Sequence, residues 1–169
     1  MPRIVVLGTS GAGKTTVARR LGRRHGVAPT YLDELSTGPG WTTLPADDLR
    51  ARVPAALEAP DWIVDGNYER ALGALVLERA ETAVWLDLPL RVSLARMVGR
   101  TWRRARDRAA DAHGNRERWR LAHLGWVVWE VRSHLRRRVR MKARLARHRG
   151  LSVVHLRSQR QVDAWLRDG

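Results

Sequence analysis

The chain has 169 residues, 44% of them hydrophobic and 29% charged, and its 32 Lys+Arg against 17 Asp+Glu give a formal net charge of +15. This composition indicates one folded domain rather than a disordered chain, and the lack of cysteine excludes disulfides and thiolate metal sites. No apolar run reaches the roughly 18 to 20 residues that cross a bilayer, and none near the start has the length of a signal peptide's core, so we expect a cytoplasmic protein without a membrane partner.

Short apolar runs alternate with helical patterns along the chain. Most of the runs are continuous, which is typical of strands buried on both faces of a parallel sheet. The alternation therefore predicts an α/β domain with a doubly wound parallel sheet and right-handed crossovers. The predicted strands are residues 3–7, 30–32, 62–64, 83–88 and 152–156, and the predicted helices are residues 14–24, 47–57, 70–79, 90–104 and 116–147. Pro54 is expected to kink or end the second helix, since proline removes a helical hydrogen bond.

A glycine-rich loop joins the first strand to the first helix. It consists of Gly8, Thr9, Ser10, Gly11, Ala12, Gly13, Lys14 and Thr15, which fit the pattern G-x-x-x-x-G-K-[ST]. In such loops the glycines let backbone N–H groups surround a phosphate, the helix N-terminus adds partial positive charge, and the lysine reaches the terminal phosphates. The pattern predicts a phosphate-binding loop for ATP, with Thr15 as a ligand of Mg²⁺. The alternative is a strand-to-helix turn that binds nothing.

Carboxylates follow the next three predicted strands, at the sheet edge where ligands bind in open α/β folds. Asp65 comes directly after strand three and is our candidate for holding Mg²⁺, with a turn before Gly66 as the alternative. Asp33 ends strand two and could orient or deprotonate a substrate hydroxyl, or could instead cap a helix or turn. Asp87 has the equivalent position after strand four, where a capping role is equally natural before Pro89.

The positive charge is concentrated in one segment. Residues 91–149 hold 19 basic and 4 acidic residues, whereas residues 1–90 hold 10 and 11, and residues 150–169 hold 3 and 2. On a helical wheel an apolar seam within about 80° contains Leu121, Leu124, Val128, Val131, Leu135 and Val139. A second face of the same helix interleaves tryptophan with arginine, and contains Trp126, Trp129, Arg136, Arg137, Arg140 and Arg144.

Three interpretations of the basic segment stay open. The first is a mobile lid whose arginines close over the transferring phosphoryl group, with Arg103, Arg104, Arg137 and Arg138 as candidates and residues 111–115, which include Gly114, as a hinge. The second is a nucleic-acid surface on which Trp126 or Trp129 stacks on bases. The third is a solvated face on a packing helix. The lid is the favoured interpretation, and the nucleic-acid partner is possible but not favoured.

The placed residues resemble those of the P-loop nucleotide and small-molecule kinases, most closely the adenylate-kinase-related topology modulation proteins. The similarity runs nearly end to end. It is carried by the glycine-rich loop, Tyr31-Leu32-Asp33, Pro39-Gly40-Trp41, Trp62 to Tyr68, Trp85 to Pro89, Leu156-Arg157-Ser158, and a last helix with Val162, Trp165 and Leu166. The resemblance implies a P-loop NTPase fold with strand order 2-3-1-4-5, an acceptor-lobe-like segment at residues 34–60 and a lid-like segment at residues 101–149.

The same resemblance assigns further residues. Arg96 and Arg100 match an Arg-x-x-Gly-Arg run, which implies that Arg96 stacks on adenine and Arg100 contacts the ATP phosphates. Thr16 and Arg157 are implied nucleotide contacts, and Asp33 looks like the aspartate with which shikimate- and gluconate-type kinases hold a hydroxyl. Adenylate kinases follow their Asp-Gly with a proline and an arginine, and here Asn67-Tyr68-Glu69-Arg70 stands instead, so the resemblance does not extend to AMP as acceptor.

The sequence therefore predicts an ATP- and Mg²⁺-dependent kinase that phosphorylates a small acceptor, either a nucleotide, a nucleoside or a hydroxylated metabolite. Lys14, Asp33, Arg100 and Arg137 are its predicted catalytic residues, and Trp41 either contacts the acceptor or only packs. Two alternatives remain, namely a nucleic-acid-binding protein and a nucleotide sensor that uses ATP as a switch without phosphotransfer.

Overall fold

The computed structural model describes residues 2–38, 40, 42–72, 74–107 and 122–168, with backbone alone at residues 69, 70, 122–124, 126 and 127. The strands are β1 (Arg3–Gly8), β2 (Thr30–Tyr31), β3 (Trp62–Asp65), β4 (Thr82–Leu86) and β5 (Ser152–Leu156). The helices between β1 and β4 are α1 (Lys14–His25), α2 (Leu32–Ser36), α3 (Ala46–Ala56), α4 (Glu69–Leu72) and α5 (Leu75–Arg79). Those after β4 are α6 (Leu90–Asp107), α7 (Ala122–Ala146) and α8 (Gln159–Asp168).

The five strands form one parallel sheet in the order β2-β3-β1-β4-β5, which confirms the predicted α/β class and strand order. In the register of this sheet Val6 lies beside Asp65, and Gly8 lies beside Leu86. The carboxyl ends of β1, β3 and β4 therefore meet at one edge, and the residues that follow these strands share that edge.

Each face of the sheet buries its own apolar cluster. Val5 and Leu7 of β1 point to the face covered by α3, α5 and the end of α7, while Ile4 and Val6 point to the face covered by α1 and α8. This alternation follows from the two-residue period of a strand, and burial on both faces explains the continuous apolar runs in the sequence. The sheet is thus a rigid support for the loops at its carboxyl edge.

Two predicted strands end earlier than expected. Leu32 is not part of β2, because the chain turns at once into α2, where Leu32 is buried and Asp33 lies in the first helical turn. At the other strand, β4 ends at Leu86, and the N–H of Asp87 donates to the carbonyl of Leu156 at the end of β5. Both aspartates nevertheless lie at the carboxyl edge, as predicted.

One predicted helix is divided in two, and the helix that contains Pro54 ends as predicted. The predicted helix 70–79 is two short helices, α4 and α5, which bury Leu72, Val76 and Leu77 against the sheet. Helix α3 runs past Pro54 for two residues and ends at Ala56. Proline cannot donate to the preceding turn, and the helix stops within one turn of it, as expected.

The apolar seam of the basic helix does not pack on the core. Such a seam normally faces the protein interior, yet Val128, Val131, Leu135 and Val139 of α7 are between 46% and 69% exposed. The face of α7 that is turned inward carries Glu130, His134 and Leu145, all nearly fully buried. The buried side of α7 thus carries an ion pair and a histidine, and a wheel drawn from hydrophobicity alone does not select it.

Several predictions fall outside the described residues. These concern Trp41, the hinge at residues 111–115, the start of the predicted helix at residues 116–121, and the side chains of Leu124 and Trp126.

Within the described parts of the chain, no helix is both long enough and apolar enough to cross a membrane.

Candidate functional site

The loop from Gly8 to Thr15 wraps the N-terminus of α1. Gly11 and Gly13 have φ angles of +78° and +95°, which side-chain-bearing residues rarely adopt. A Cβ at Gly11 would also lie 2.1 Å from the carbonyl oxygen of Ser93 in α6. No described side chain caps α1, so the N–H groups of its first turn face the loop without a helical partner. The backbone of this loop thus presents donors and positive partial charge to an anion.

Thr15 joins the loop to the end of β3. Its Oγ1 donates a hydrogen bond to Oδ2 of Asp65 at 2.7 Å. The second carboxylate oxygen of Asp65, Oδ1, is buried and has no hydrogen-bond partner among the residues that the structure describes. Lys14 bends back over the loop, and its Nζ donates to the carbonyl of Thr9 at 3.4 Å. A hydroxyl, a carboxylate and an ammonium group therefore converge beside the N-terminus of α1.

Asp65 lies in an electrostatically mixed environment. Burial raises the pKa of this carboxyl, and the nearby Asp33 raises it further, whereas Lys14, the hydrogen bond from Thr15 and Arg100 lower it. A buried carboxylate oxygen without a partner is costly unless a cation or a donor satisfies it. Asp65 Oδ1 together with Thr15 Oγ1 is an oxygen pair suited to Mg²⁺, which takes few protein ligands and keeps waters or phosphates in its other positions.

Asp33 is held near this group by the short helix α2. Ser36, at the end of α2, is hydrogen-bonded to the hydroxyl of Tyr68. Burial raises the pKa of Tyr68 to about 12, and the neighbouring Asp33 and Asp65 contribute to the rise. Tyr68 therefore stays protonated and anchors α2 beside β3, so that the exposed carboxylate of Asp33 faces the same cavity as Lys14 and Thr15.

A cavity of about 470 Å³ adjoins the loop, and we call it the loop cavity. Its size is within the range of small-molecule sites. It brings together most of the predicted site, namely residues 10–16, Asp33, Arg96, Arg100, Arg103 and Arg104. Two carboxylates, those of Asp33 and Asp163, line it beside the cations Lys14, Arg20, Arg96, Arg100, Arg103 and Arg104. The excess of positive charge suits a ligand with several negative charges.

Arg96 spans one side of the loop cavity. Its Nη2 donates a hydrogen bond to Oε1 of Gln159 at 2.8 Å. Nε2 of Gln159 in turn donates to Oδ1 of Asp163 at 2.7 Å. The other terminal nitrogen of Arg96 lies 3.8 Å from the position that a Cβ of Gly13 would take. The guanidinium therefore lies between the loop and the start of α8, across a surface where a planar group can stack on it.

Asn67 holds the start of the loop in place. The N–H of Gly8 donates to Oδ1 of Asn67 at 3.1 Å, and Nδ2 of Asn67 donates to the carbonyl of Gly8 at 2.7 Å. The amide satisfies a donor and an acceptor at once, which a proline at this position could not do. The departure from the adenylate kinase pattern at Asn67 therefore has a structural role.

Arg137 and Arg138 do not line the loop cavity. Nη2 of Arg137 lies 2.5 Å from Oε1 of the buried Glu130, and the guanidinium sits 4.8 Å from the ring centroid of Trp129. Arg138 binds both carboxylate oxygens of Asp87, at 2.7 and 2.8 Å. Asp87, also 2.9 Å from Nε2 of His155, is thus neither a helix cap nor part of the loop cavity. Both arginines line a second cavity, of about 540 Å³.

The sequence analysis missed several residues of the loop cavity, and it assigned to the nucleotide site one residue that does not line this cavity. Arg20 lies one turn after Thr16 on α1, which its spacing of four residues could have shown. Gln159 and Asp163 begin the helix after β5, and position at the carboxyl edge was their only signal. Arg157 is exposed at the end of β5 and is not among the residues that line this cavity. Within the described residues, no cluster of three or more His, Asp or Glu could form a metal site made by the protein alone.

Comparison with protein-family models and with curated proteins finds no significant match to the chain. The resemblance to topology modulation proteins therefore stays a prediction from the motifs themselves.

Proposed function

We propose that the protein binds Mg·ATP in the loop cavity and transfers the γ-phosphoryl group to the hydroxyl of a small acceptor. The observation that carries the proposal is the convergence of the loop, Lys14 and the Thr15–Asp65 pair at the carboxyl edge of a parallel sheet. In this account the chain is a P-loop kinase related to adenylate kinases and topology modulation proteins. The motif residues support that relationship, and so does the strand order.

The loop would bind the phosphates. Backbone N–H groups at the start of α1 and the ammonium group of Lys14 face the same space, and Arg100, Arg103 and Arg104 add positive charge on the opposite wall. Such fixed donors stabilise charge that moves during phosphoryl transfer without needing to reorganise. Arg96 would hold the base by stacking.

Thr15 and Asp65 would hold Mg²⁺. The unpartnered Asp65 Oδ1 is the feature that fits this ion, because it leaves one buried oxygen available for coordination. When bound, the ion neutralises negative charge on the phosphate oxygens. Asp65 would also keep Thr15 in a ligating orientation through the 2.7 Å hydrogen bond.

Asp33 would orient the acceptor. Its carboxylate lines the loop cavity and can accept a hydrogen bond from a substrate hydroxyl. In the transfer step the acceptor oxygen forms a bond to the γ-phosphorus, the bond from that phosphorus to the β,γ-bridging oxygen breaks, and ADP leaves. The hydroxyl proton passes to Asp33 and then to solvent. Most of the rate enhancement would come from positioning and charge neutralisation.

A phosphotransfer screen tests this proposal. Purified protein is incubated with Mg·ATP and one member each of a series of nucleoside monophosphates, nucleosides and hydroxylated metabolites, and ADP and phosphorylated product are measured together. A product that appears with wild type and is lost in Asp33→Asn supports phosphotransfer. Tight ATP binding without any product would favour the nucleotide sensor instead.

Exposed arginines on α7 support a second candidate, a nucleic-acid surface. Arg132, Arg136 and Arg140 are exposed beside the half-exposed Trp129. Arginines that neutralise backbone phosphates would release counterions from the nucleic acid, so binding would weaken steeply with salt. Titration of labelled single- and double-stranded DNA at low and high salt tests it, and lack of binding at low salt removes it.

A further inference from the structure

The second cavity lies on the other side of the glycine-rich loop. Gly8 and Thr9 form part of its wall, whereas residues 10–17 line the loop cavity. Its remaining walls come from Asn67 after β3, from the end of β4 and from α7. No residue is shared by the linings of the two cavities. The two cavities thus adjoin the same loop through different residues.

The charge of the second cavity is positive. Arg137, Arg138 and Arg140 line it, and Asp87 is its one acidic lining residue. Both oxygens of Asp87 are already engaged by Arg138, and one of them also by His155. Arg140 is exposed, and its Nε donates to the carbonyl of Arg136 at 3.4 Å. The guanidinium of Arg140 thus keeps hydrogen-bonding groups for an anion.

The same cavity has flat apolar walls. Trp85 and Trp129 line it together with Leu86 and Met141. Trp85 is fixed by stacking on His155, with ring centroids 4.0 Å apart and planes within 5° of each other. The guanidinium of Arg137 lies 4.8 Å from the ring centroid of Trp129 and helps to hold that ring. Rigid aromatic walls of this kind bind planar groups at low entropic cost.

We propose that the second cavity is a separate binding site for a small ring compound that carries a phosphate or carboxylate group. Arg140 binds the anionic group, while Trp129 and Met141 contact the ring. The volume of about 540 Å³ accommodates one such molecule. The site does not depend on nucleotide binding, and its ligand binds whether or not the loop cavity is filled.

Calorimetric titration of the full-length protein tests the proposal. The loop cavity is first saturated with Mg²⁺ and adenylyl imidodiphosphate, a non-hydrolysable ATP analogue, and the same titrations are repeated without nucleotide. The probes are phenyl phosphate, benzoate, benzyl alcohol and inorganic phosphate. We expect one of the ring anions to bind in both conditions and at least tenfold more tightly than benzyl alcohol or inorganic phosphate. The tighter ring anion identifies the anionic group.

Two variants of the cavity and one control variant locate the bound probe. Arg140→Gln should weaken binding of the ring anion at least tenfold, and Arg132→Gln, an equal loss of charge at an exposed position of α7 outside the cavity, should leave it unchanged. Trp129→Leu should weaken ring anions but not inorganic phosphate. The proposal is overturned if no ring anion binds, if Arg140→Gln and Arg132→Gln have equal effects, or if the nucleotide analogue displaces the probe. If the nucleotide analogue does not bind, the titrations without nucleotide still test the second cavity by themselves.

Discussion

Asn67 and Gly8 exchange two hydrogen bonds, so that one side-chain amide fixes the first residue of the glycine-rich loop. Asn67 follows β3 and Gly8 ends β1, and the pair therefore couples the loop to the strand that carries Asp65. A loop that must present backbone donors at fixed positions needs such a support, because misplacement by about 1 Å weakens catalysis strongly.

Asn67→Ala removes both bonds. We expect the free energy of unfolding to fall by about 2 kcal/mol, since each hydrogen bond contributes about 1 kcal/mol. Nucleotide affinity should fall as well, because the loop loses its support. Asn67→Asp keeps the acceptor for the Gly8 N–H but loses the donor to its carbonyl, and should show an intermediate stability. Urea denaturation of the three proteins measures this order, and equal stability of Asn67→Ala and wild type would contradict the role of Asn67.

Gly11→Ala should disrupt the loop. The left-handed backbone alone costs roughly 1 to 2 kcal/mol for a residue with a Cβ, and the Cβ would also meet the backbone of α6 at 2.1 Å. Gly99→Ala is the matched control, since Gly99 lies inside α6 with open space at its Cβ position. That change should stabilise the protein by roughly 0.5 to 1 kcal/mol. Thermal unfolding of both variants should thus show shifts of opposite sign.

Asp87→Ala should destabilise far more than the loss of a surface ion pair. The side chain of Asp87 is 3% exposed and accepts hydrogen bonds from Arg138 and His155, linking α7 to the carboxyl edge of the sheet. Removing one partner of a buried pair costs about 3 to 5 kcal/mol, and the partial exposure of Arg138 places the expected loss near 3 kcal/mol. The control is Glu81→Ala, which breaks the exposed pair with Arg3 and should cost much less, because solvent screens that pair. If urea denaturation shows equal losses of stability for Asp87→Ala and Glu81→Ala, the contacts of Asp87 with Arg138 and His155 do not have this stabilising role.

His134 should make stability depend on pH. Burial lowers the pKa of this histidine, and the positive charge of Arg138 lowers it further. The unfolded chain therefore binds the proton before the folded chain does, and the free energy of unfolding falls as pH drops through the ordinary histidine pKa of about 6.5. His134→Gln should reduce the loss of stability between pH 7.5 and pH 5.5. His25→Gln, at an exposed position of α1, should leave that loss unchanged, and the comparison requires only denaturation curves at the two pH values.

The sequence predicts the fold well where one signal dominates. The continuous apolar runs identify all five strands, because burial on both faces of a sheet requires them. The same approach does not find the buried face of α7, because that face carries His134 and Glu130, the latter paired with Arg137 of the same helix, and polar residues leave no mark on a hydrophobic pattern. Leu32 is another failure, because an apolar residue after a short strand can belong to either element.

Some residues of the candidate site could likewise be predicted from the sequence, and others could not. The loop and Asp65 follow from spacing and from position at the sheet edge, and Arg100 follows from the family resemblance. All of them line or adjoin one cavity. Arg137 could not be placed from sequence, because its nearest acid, Glu130, lies seven positions away on the same helix and fixes it toward the second cavity. The two hydrogen bonds of Asn67 depend on the pairing of β1 with β3, which a linear pattern does not contain.

The most direct test of the account is calorimetric titration of Mg²⁺ and adenylyl imidodiphosphate into wild type, Lys14→Ala and Lys142→Ala. These two residues are the only lysines of the chain, and Lys142 is exposed on α7 outside both cavities. A charge-assisted contact contributes roughly 1.5 to 3 kcal/mol, or roughly ten- to hundredfold in affinity. The account predicts that loss in Lys14→Ala and none in Lys142→Ala. Equal affinity of Lys14→Ala and wild type would contradict it.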